Sequence, residues 1–320
     1  MEKTKDFKID VPVLLIFFCR PDTTAQVFEE IRKARPSKLF LYQDGPRPNK
    51  PSDVENIQKC RTLIENNIDW NCEVFRNYQE KNIGCNPSTF NAHKWAFSHV
   101  DKCIILEDDC VPSQSFFPYC KELLDKYEND ERINIICGMN NGGTTPCEDS
   151  YFFSHYMSIW GWATWKRNAD EWEADYKWLD NKNAVENIGE KYSYDMKHRM
   201  PVWKRHKNTG RTYFESMVGS HTYFYHQLNI VPTYNMITNI GLTADAVHTS
   251  DSIVKVARSI RGLFFAKRYE IEFPLKHPKY VVENMDYYRK YRWLMIPGTF
   301  IRYMRKLEGR FYRLFPFFGK

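Results

Sequence analysis

Glu107, Asp108 and Asp109 stand side by side directly after a short apolar run, Cys103 to Leu106. Three adjacent carboxylates repel one another, and keeping them at a strand's exit is costly unless a cation or a bound donor group compensates. Magnesium or manganese is the natural partner, because these ions take oxygen ligands and often bridge one or two carboxylates to substrate phosphates. An acidic loop in which Asp109 caps the following helix is the other reading of the same spacing.

The elements that must position these acids can be read from periodicity. Val11 to Phe18 is nearly continuous apolar sequence, as expected of a parallel strand buried on both faces. A helix follows over Thr23 to Ala34 with Asp22 as its cap, then a strand over Leu39 to Gln43 and a helix over Asp53 to Asn66. A strand over Glu73 to Asn77 and a helix over Ser88 to Val100 lead to the acid-bearing strand. Short connections imply a parallel sheet with right-handed crossovers. Ligands of such sheets bind beyond the carboxyl ends of the strands. Cys19-Arg20-Pro21, Gln43-Asp44-Gly45 and the Asn82-Ile83-Gly84 loop should therefore meet the acid triplet. A helix over Phe116 to Tyr127 and a strand over Ile133 to Cys137 complete this half, and residues 138–250 read as irregular loops with one helix over Tyr192 to His206.

With 320 residues, 42% hydrophobic and 27% charged, the chain has the composition of an ordinary globular protein. Its first ten residues are charged, and no apolar run approaches the roughly 20 residues that span a bilayer. A cytoplasmic protein is expected, with peripheral attachment to the inner face of the plasma membrane as an option. Nine scattered cysteines without a C-x-x-C pair read as free thiols. The net charge of +6 is concentrated near the end of the chain, where residues 286–320 carry nine Lys or Arg against Asp286 and Glu308. The body is close to neutral, which argues against a nucleic-acid partner.

From Val11 to about His248 the sequence resembles the nucleotide-sugar glycosyltransferases of the GT-A fold, closest to the N-acetylglucosaminyltransferase I type. The resemblance is carried by Phe18-Cys19-Arg20, Tyr42-Gln43-Asp44-Gly45, Ile105-Leu106-Glu107-Asp108-Asp109 with Phe116-Phe117, Trp160-Gly161-Trp162, and Tyr234-Asn235-Met236-Ile237-Thr238-Asn239-Ile240-Gly241. It implies a Rossmann-like α/β fold with a mostly parallel sheet flanked by helices, an irregular acceptor-side region and a helical C-terminal tail. Residues 1–137 would form the nucleotide-sugar-binding half, 138–280 the acceptor-binding and catalytic half of the same unit, and 281–320 the tail.

The resemblance also implies roles. Asp109 would bind Mn2+ or Mg2+, with His248 as a late metal or phosphate contact or a structural residue. Glu107 and Asp108 would turn towards ribose or supporting groups, and Arg20 and Asp44 would contact the nucleotide of a UDP-sugar donor. Trp160 and Trp162 belong to the acceptor-side loop. An acceptor hydroxyl needs a general base; Glu215 occupies the family's position for it, as Glu after Phe where relatives commonly have Asp after Trp, with Asp195 as runner-up. The implied chemistry is a single inverting displacement that moves GlcNAc or a related hexose to a glycan or lipid-linked saccharide.

Trp165, Trp172 and Trp178 read as packing. Lys94 reads as a solvated lysine, or as a residue reaching a phosphate, and Asn140-Asn141-Gly142-Gly143 as a turn beside the donor sugar or an ordinary turn. Phe273 to Pro278 reads as a structural closure of the core. In the tail, Arg289, Arg292, Arg302, Arg305, Arg310 and Arg313 interleave with Trp293, Phe300, Tyr303, Phe311, Phe315 and Phe317. That pattern suits an anionic membrane surface, or a helix packed on the body with its arginines outward. The rival functions are a sugar nucleotidyltransferase, which would need a Gly-rich basic loop where this chain has Arg20-Pro21-Asp22, and a non-catalytic carbohydrate-binding protein.

Overall fold

The first strand, β1 (Val13–Phe17), alternates its side chains between two cores on opposite faces of one sheet. Val13, Leu15 and Phe17 pack on one side with Val27, Phe28 and Ile31 of α1 (Pro21–Ala34), whereas Leu14 joins Phe40 and Ala96 on the other. Burial on both faces explains why the strand reads as an unbroken apolar run. The computed structural model describes residues 5–211, 213–242, 258–296 and 298–314.

The chain continues through β2 (Lys38–Gln43), α2 (Ser52–Asn66), β3 (Glu73–Tyr78), α3 (Cys85–Phe97) and β4 (Lys102–Glu107). β1 pairs in parallel with β2 and with β4, and β2 pairs in parallel with β3. The parallel arrangement sets the carboxyl ends of all four strands at one edge. Two local expectations need correction. Asp22 lies inside the first turn of α1, and Arg20 occupies the position before the helix. The helix expected from Ser88 begins at Cys85, directly after Gly84.

β5 (Cys110–Pro112) then separates the acid triplet from α4 (Phe116–Lys126), so Asp109 does not cap that helix. Beyond β6 (Ile133–Cys137), the stretch expected to be loops with one helix contains β7 (Tyr151–Ser154), β8 (Trp162–Trp165), α5 (Lys166–Asp170) and a 3-10 turn at Lys177–Asp180. α6 (Lys182–Lys191), α7 (Ser193–Thr209), α8 (Phe214–Phe224), β9 (Leu228–Pro232) and β10 (Ile237–Asn239) follow. The eight-stranded sheet has the order β3-β2-β1-β4-β8-β6-β9-β7, with β8 antiparallel to β4 and β6, and β7 antiparallel to β9. This is a mostly parallel, helix-flanked α/β sheet, consistent with the Rossmann-like GT-A architecture. β10 pairs with β5 in a separate two-stranded ladder, with Asn239 opposite Cys110.

α9 (Arg258–Arg261), α10 (Met285–Met295) and α11 (Thr299–Leu314) complete the described chain. On α11, Phe300 is 74% exposed and Tyr303, Met304 and Phe311 are exposed with it, while Arg305 turns inward and donates to the Leu294 carbonyl at 3.1 Å. Arg289 on α10 and Arg310 on α11 are exposed, so the arginines of the two helices do not share one orientation. The side chains of Trp293, Arg302 and Arg313, together with Phe315 and Phe317, lie outside the described residues. Among the described residues no helix is long and apolar enough to cross a membrane. All nine cysteines are free.

Candidate functional site

Two adjoining clefts open at the carboxyl edge of the sheet, and Glu107, Cys85, Thr89 and Trp160 line both. The smaller, about 240 Å³, is walled by the ends of β1, β2 and β4 and by the loop before α3. The larger, about 730 Å³, lies beneath α7 and α8.

In the small cleft the acids are organised by Arg20. Its guanidinium pairs with Asp108 Oδ1 and also reaches Asp109 Oδ2 at 3.0 Å. Burial opposes charge on Arg20, but Asp108 and Asp109 outweigh it and raise its pKa further. Asp108, 4% exposed, also accepts from the Phe18 amide at 3.2 Å, which fastens the acid strand to the end of β1. At Glu107, burial first, then Asp109 and Asp108, push the carboxyl up to about 8, against the pull of Arg20.

The late segment 234–241 reaches the same place through the β5–β10 ladder. Ile240 N donates to the Asp109 carbonyl at 2.8 Å, and Gly241 lies so close that a Cβ there would overlap the Asp109 carboxylate. Two motifs more than 100 residues apart in sequence therefore form one wall. Sequence order alone cannot reveal that juxtaposition.

Asp44 also lines this cleft, but its oxygens are engaged. Gly45 N donates at 2.9 Å, Asn82 Nδ2 at 3.0 Å, Ile83 N at 3.1 Å and Gly84 N at 3.0 Å. Its evident work is to hold the 82–84 loop against the end of β2. Gly45 is required for that approach, since a Cβ would lie 2.5 Å from backbone atoms of Lys81. Arg47, which sequence reading passed over, lines the cleft with its guanidinium held by Asp53 at 2.6 and 2.7 Å.

The larger cleft holds Glu215 in the first turn of α8. The Phe214 amide donates to Asn86 Oδ1 at 3.0 Å, so the start of α8 is tied to the first turn of α3 and to the junction of the clefts. Glu215 opens to the chamber, yet the protein crowding around it raises its carboxyl above the ordinary range, with Arg199 acting in the opposite direction. Glu215 is also close enough to contribute to the upward shift of Glu107.

Several expectations are corrected here. Asp195 is fully buried and accepts from the Tyr156 hydroxyl at 3.2 Å and the Tyr223 hydroxyl at 2.6 Å. It lines neither cleft, so it is neither a base nor a surface acid. Trp162, 1% exposed, is packed among His93, Trp172 and Phe214 and is not an acceptor platform, whereas Trp160 forms part of both clefts. Trp165, Trp172 and Trp178 are buried as packing. Lys94, half-buried, donates to the Ala169 carbonyl at 2.6 Å at the end of α5 and lines neither cleft. Asn140 is buried and donates to the Pro232 carbonyl at 2.8 Å, making its turn a structural link rather than a border of either cleft. Lys276 and Ser150 bond each other at 2.9 Å, in keeping with a structural role for the 273–278 segment. His248 and Thr212 lie outside the described residues.

Among the described residues, no group of three or more His, Cys, Asp or Glu side chains forms a metal cage. The donor set still suits a hard divalent ion, because Mg2+ and its relatives bind through one or two carboxylates plus substrate phosphates and water. Glu107, Asp108 and Asp109 all line the small cleft, with Arg20 paired to Asp108 and Asp109 but not to Glu107.

No protein-family model matches the sequence, and no curated protein matches it. Among solved structures, the chain is similar to mouse xyloside xylosyltransferase 1 in its apo form, at 12% identity and a TM-score of 0.32, covering 58% of this chain and 77% of that one. It is also similar to UDP-glucose pyrophosphorylase complexed with UDP-glucose, at 10% identity and a TM-score of 0.27, covering 51% of this chain and 71% of that one. Likeness at this level carries no assignment of activity.

Proposed function

We propose that the protein is an inverting, divalent-metal-dependent glycosyltransferase that moves a hexose, GlcNAc or a relative, from UDP to a glycan or lipid-linked saccharide. The observation that carries this reading is the shared wall: an acid-rich cleft and a chamber containing Glu215 meet at Glu107 and Trp160. A transferase needs that arrangement, with the donor's anomeric carbon at the junction and the acceptor hydroxyl on the other side.

In this reading Asp109 and Glu107 would hold the cation, whose charge stabilises the departing diphosphate. Arg20 fixes Asp108 and Asp109 against β1, and Asp44 shapes the nucleotide wall through the 82–84 loop. Trp160 forms part of the surface on which the sugar rests. Glu215 takes the hydroxyl proton as the acceptor oxygen attacks, and its raised pKa brings it nearer the operating range of a general base. The exposed apolar side of α11, within residues 286–320 of net charge +7, supports attachment to an anionic membrane surface.

A sugar nucleotidyltransferase would share the acid-rich cleft. The chain has no glycine in Arg20-Pro21-Asp22 to cradle a triphosphate, and that reading gives Glu215 no task. UDP binding that requires both a divalent cation and Asp109 tests the donor site; loss of transfer in Glu215→Gln with UDP binding intact separates the transferase from both rivals.

A further inference from the structure

Arg199 stands apart from the other guanidiniums near the two clefts. Arg20 is held by Asp108 and Asp109, and Arg47 by Asp53. Arg199 lies on α7 one turn beyond Asp195, over the rings of Tyr156 at 5.7 Å and Tyr223 at 5.2 Å. Those are the two rings whose hydroxyls Asp195 holds. Asp195 thus orients the aromatic bed under Arg199 without pairing with it. The Arg199 Nε is enclosed and has no acceptor, and no carboxylate of the described residues lies within ion-pair reach of the guanidinium.

Enclosing a guanidinium Nε without an acceptor is costly, and the cation–π bed offsets part of that cost. Burial works against the charge on Arg199, while Tyr223, Tyr156, Asp195 and Glu215 favour it through space without an ion pair. His155 is bonded to Glu283 at 2.9 Å and to the Tyr192 hydroxyl at 3.0 Å, and His206 faces the hydroxyls of Tyr176 and Ser216. Arg205, exposed on the same helix, adds a second positive group to the chamber wall. The chamber combines one raised carboxyl, Glu215, with a guanidinium whose planar fork matches an oxyanion.

Resting on the reading of this chamber as the acceptor side, we propose that Arg199 recognises an anionic group on the acceptor, so that the acceptor is a saccharide bearing a phosphate or a carboxylate. The hydroxyl is presented to Glu215 while the oxyanion is held at Arg199. A phosphate would come from a phosphorylated or lipid-diphosphate-linked sugar, and a carboxylate from a uronic acid.

The test is calorimetric titration of the full chain, saturated with UDP and Mn2+, with glucose 1-phosphate, glucuronate and glucose. At least one anionic sugar is expected to bind about tenfold or more tightly than glucose, with Arg199→Gln abolishing that preference and Arg199→Lys keeping part of it. The tighter of glucose 1-phosphate and glucuronate identifies the oxyanion. Equal binding of all three, no binding of any, or a preference unchanged in Arg199→Gln would overturn the proposal. UDP titrated first into each variant shows whether it is folded, and Arg205→Gln offers an exposed second substitution that should weaken the preference without touching the core. UDP failing to bind while glucose 1-phosphate still binds through Arg199 would overturn the donor reading and leave this inference standing; the reverse result would do the opposite.

Discussion

The backbone amide of Phe214 donates a 3.0 Å hydrogen bond to the side chain of Asn86, and this contact joins the first turn of α8 to the first turn of α3. Glu215 is the next residue and Cys85 the previous one, so the bond sets the Glu215 carboxylate relative to the wall shared by both clefts. Asn86→Ala should lower kcat about tenfold, equivalent to roughly 1.4 kcal/mol of lost positioning, while leaving UDP affinity unchanged. Steady-state kinetics alongside UDP titration checks this; an equal loss in both would mean that Asn86 supports the donor cleft as a whole.

Glu215 and Asp195 should separate cleanly. Glu215→Gln is expected to reduce kcat by roughly 10²–10⁴-fold with little change in melting temperature. Asp195→Ala leaves the Tyr156 and Tyr223 hydroxyls without their acceptor and should cost about 1–3 kcal/mol of stability. Denaturant unfolding and kinetics on the pair check the assignment, and a stable but inactive Asp195→Ala would reverse it.

The pH dependence follows from the direction of the Glu215 shift. Crowding by protein favours its neutral form, a base must be ionised to accept a proton, and activity should therefore fall as pH drops through a value above the usual carboxylate figure of about 4.3. Arg199 lowers that value, so Arg199→Gln should move the acid limb to higher pH. Profiles of kcat against pH for the two proteins check this. An acid limb in the ordinary carboxylate range in wild type would contradict it.

Gly241 supplies a steric test of the ladder between β5 and β10. In Gly241→Ala the new methyl must displace the Asp109 carboxylate, which should weaken Mn2+-dependent UDP binding about tenfold or more while the fold persists. Gly45→Ala meets backbone rather than a side chain, so it should reduce stability by about 1–3 kcal/mol. Thermal melts with and without UDP distinguish the two.

Much of the nucleotide-side half was legible because two-face burial writes itself as apolar runs, as in Val13–Phe17, and because parallel strands deliver their carboxyl ends to one edge. The second half was not. β8 is a four-residue antiparallel insertion rich in tryptophan, and its alternation is too short to distinguish from an aromatic cluster. Trp160 and Trp162 are two residues apart, yet one faces the clefts and the other the core. Asp195 offered a carboxylate on a polar helix, and only the fold shows that two tyrosines cover it. Arg199 gave no signal in sequence, since its significance is the lack, among the described residues, of an acceptor for its Nε.

The most direct test of the central claim is thermal stability of the full chain and of Asp109→Asn across a panel of nucleotide sugars, with and without Mn2+. The expected result is stabilisation by one UDP-sugar, dependent on Mn2+ and lost in Asp109→Asn. Stabilisation by no nucleotide, or by a UDP-sugar equally with and without both the cation and Asp109, would contradict a metal-dependent donor site at the acid triplet.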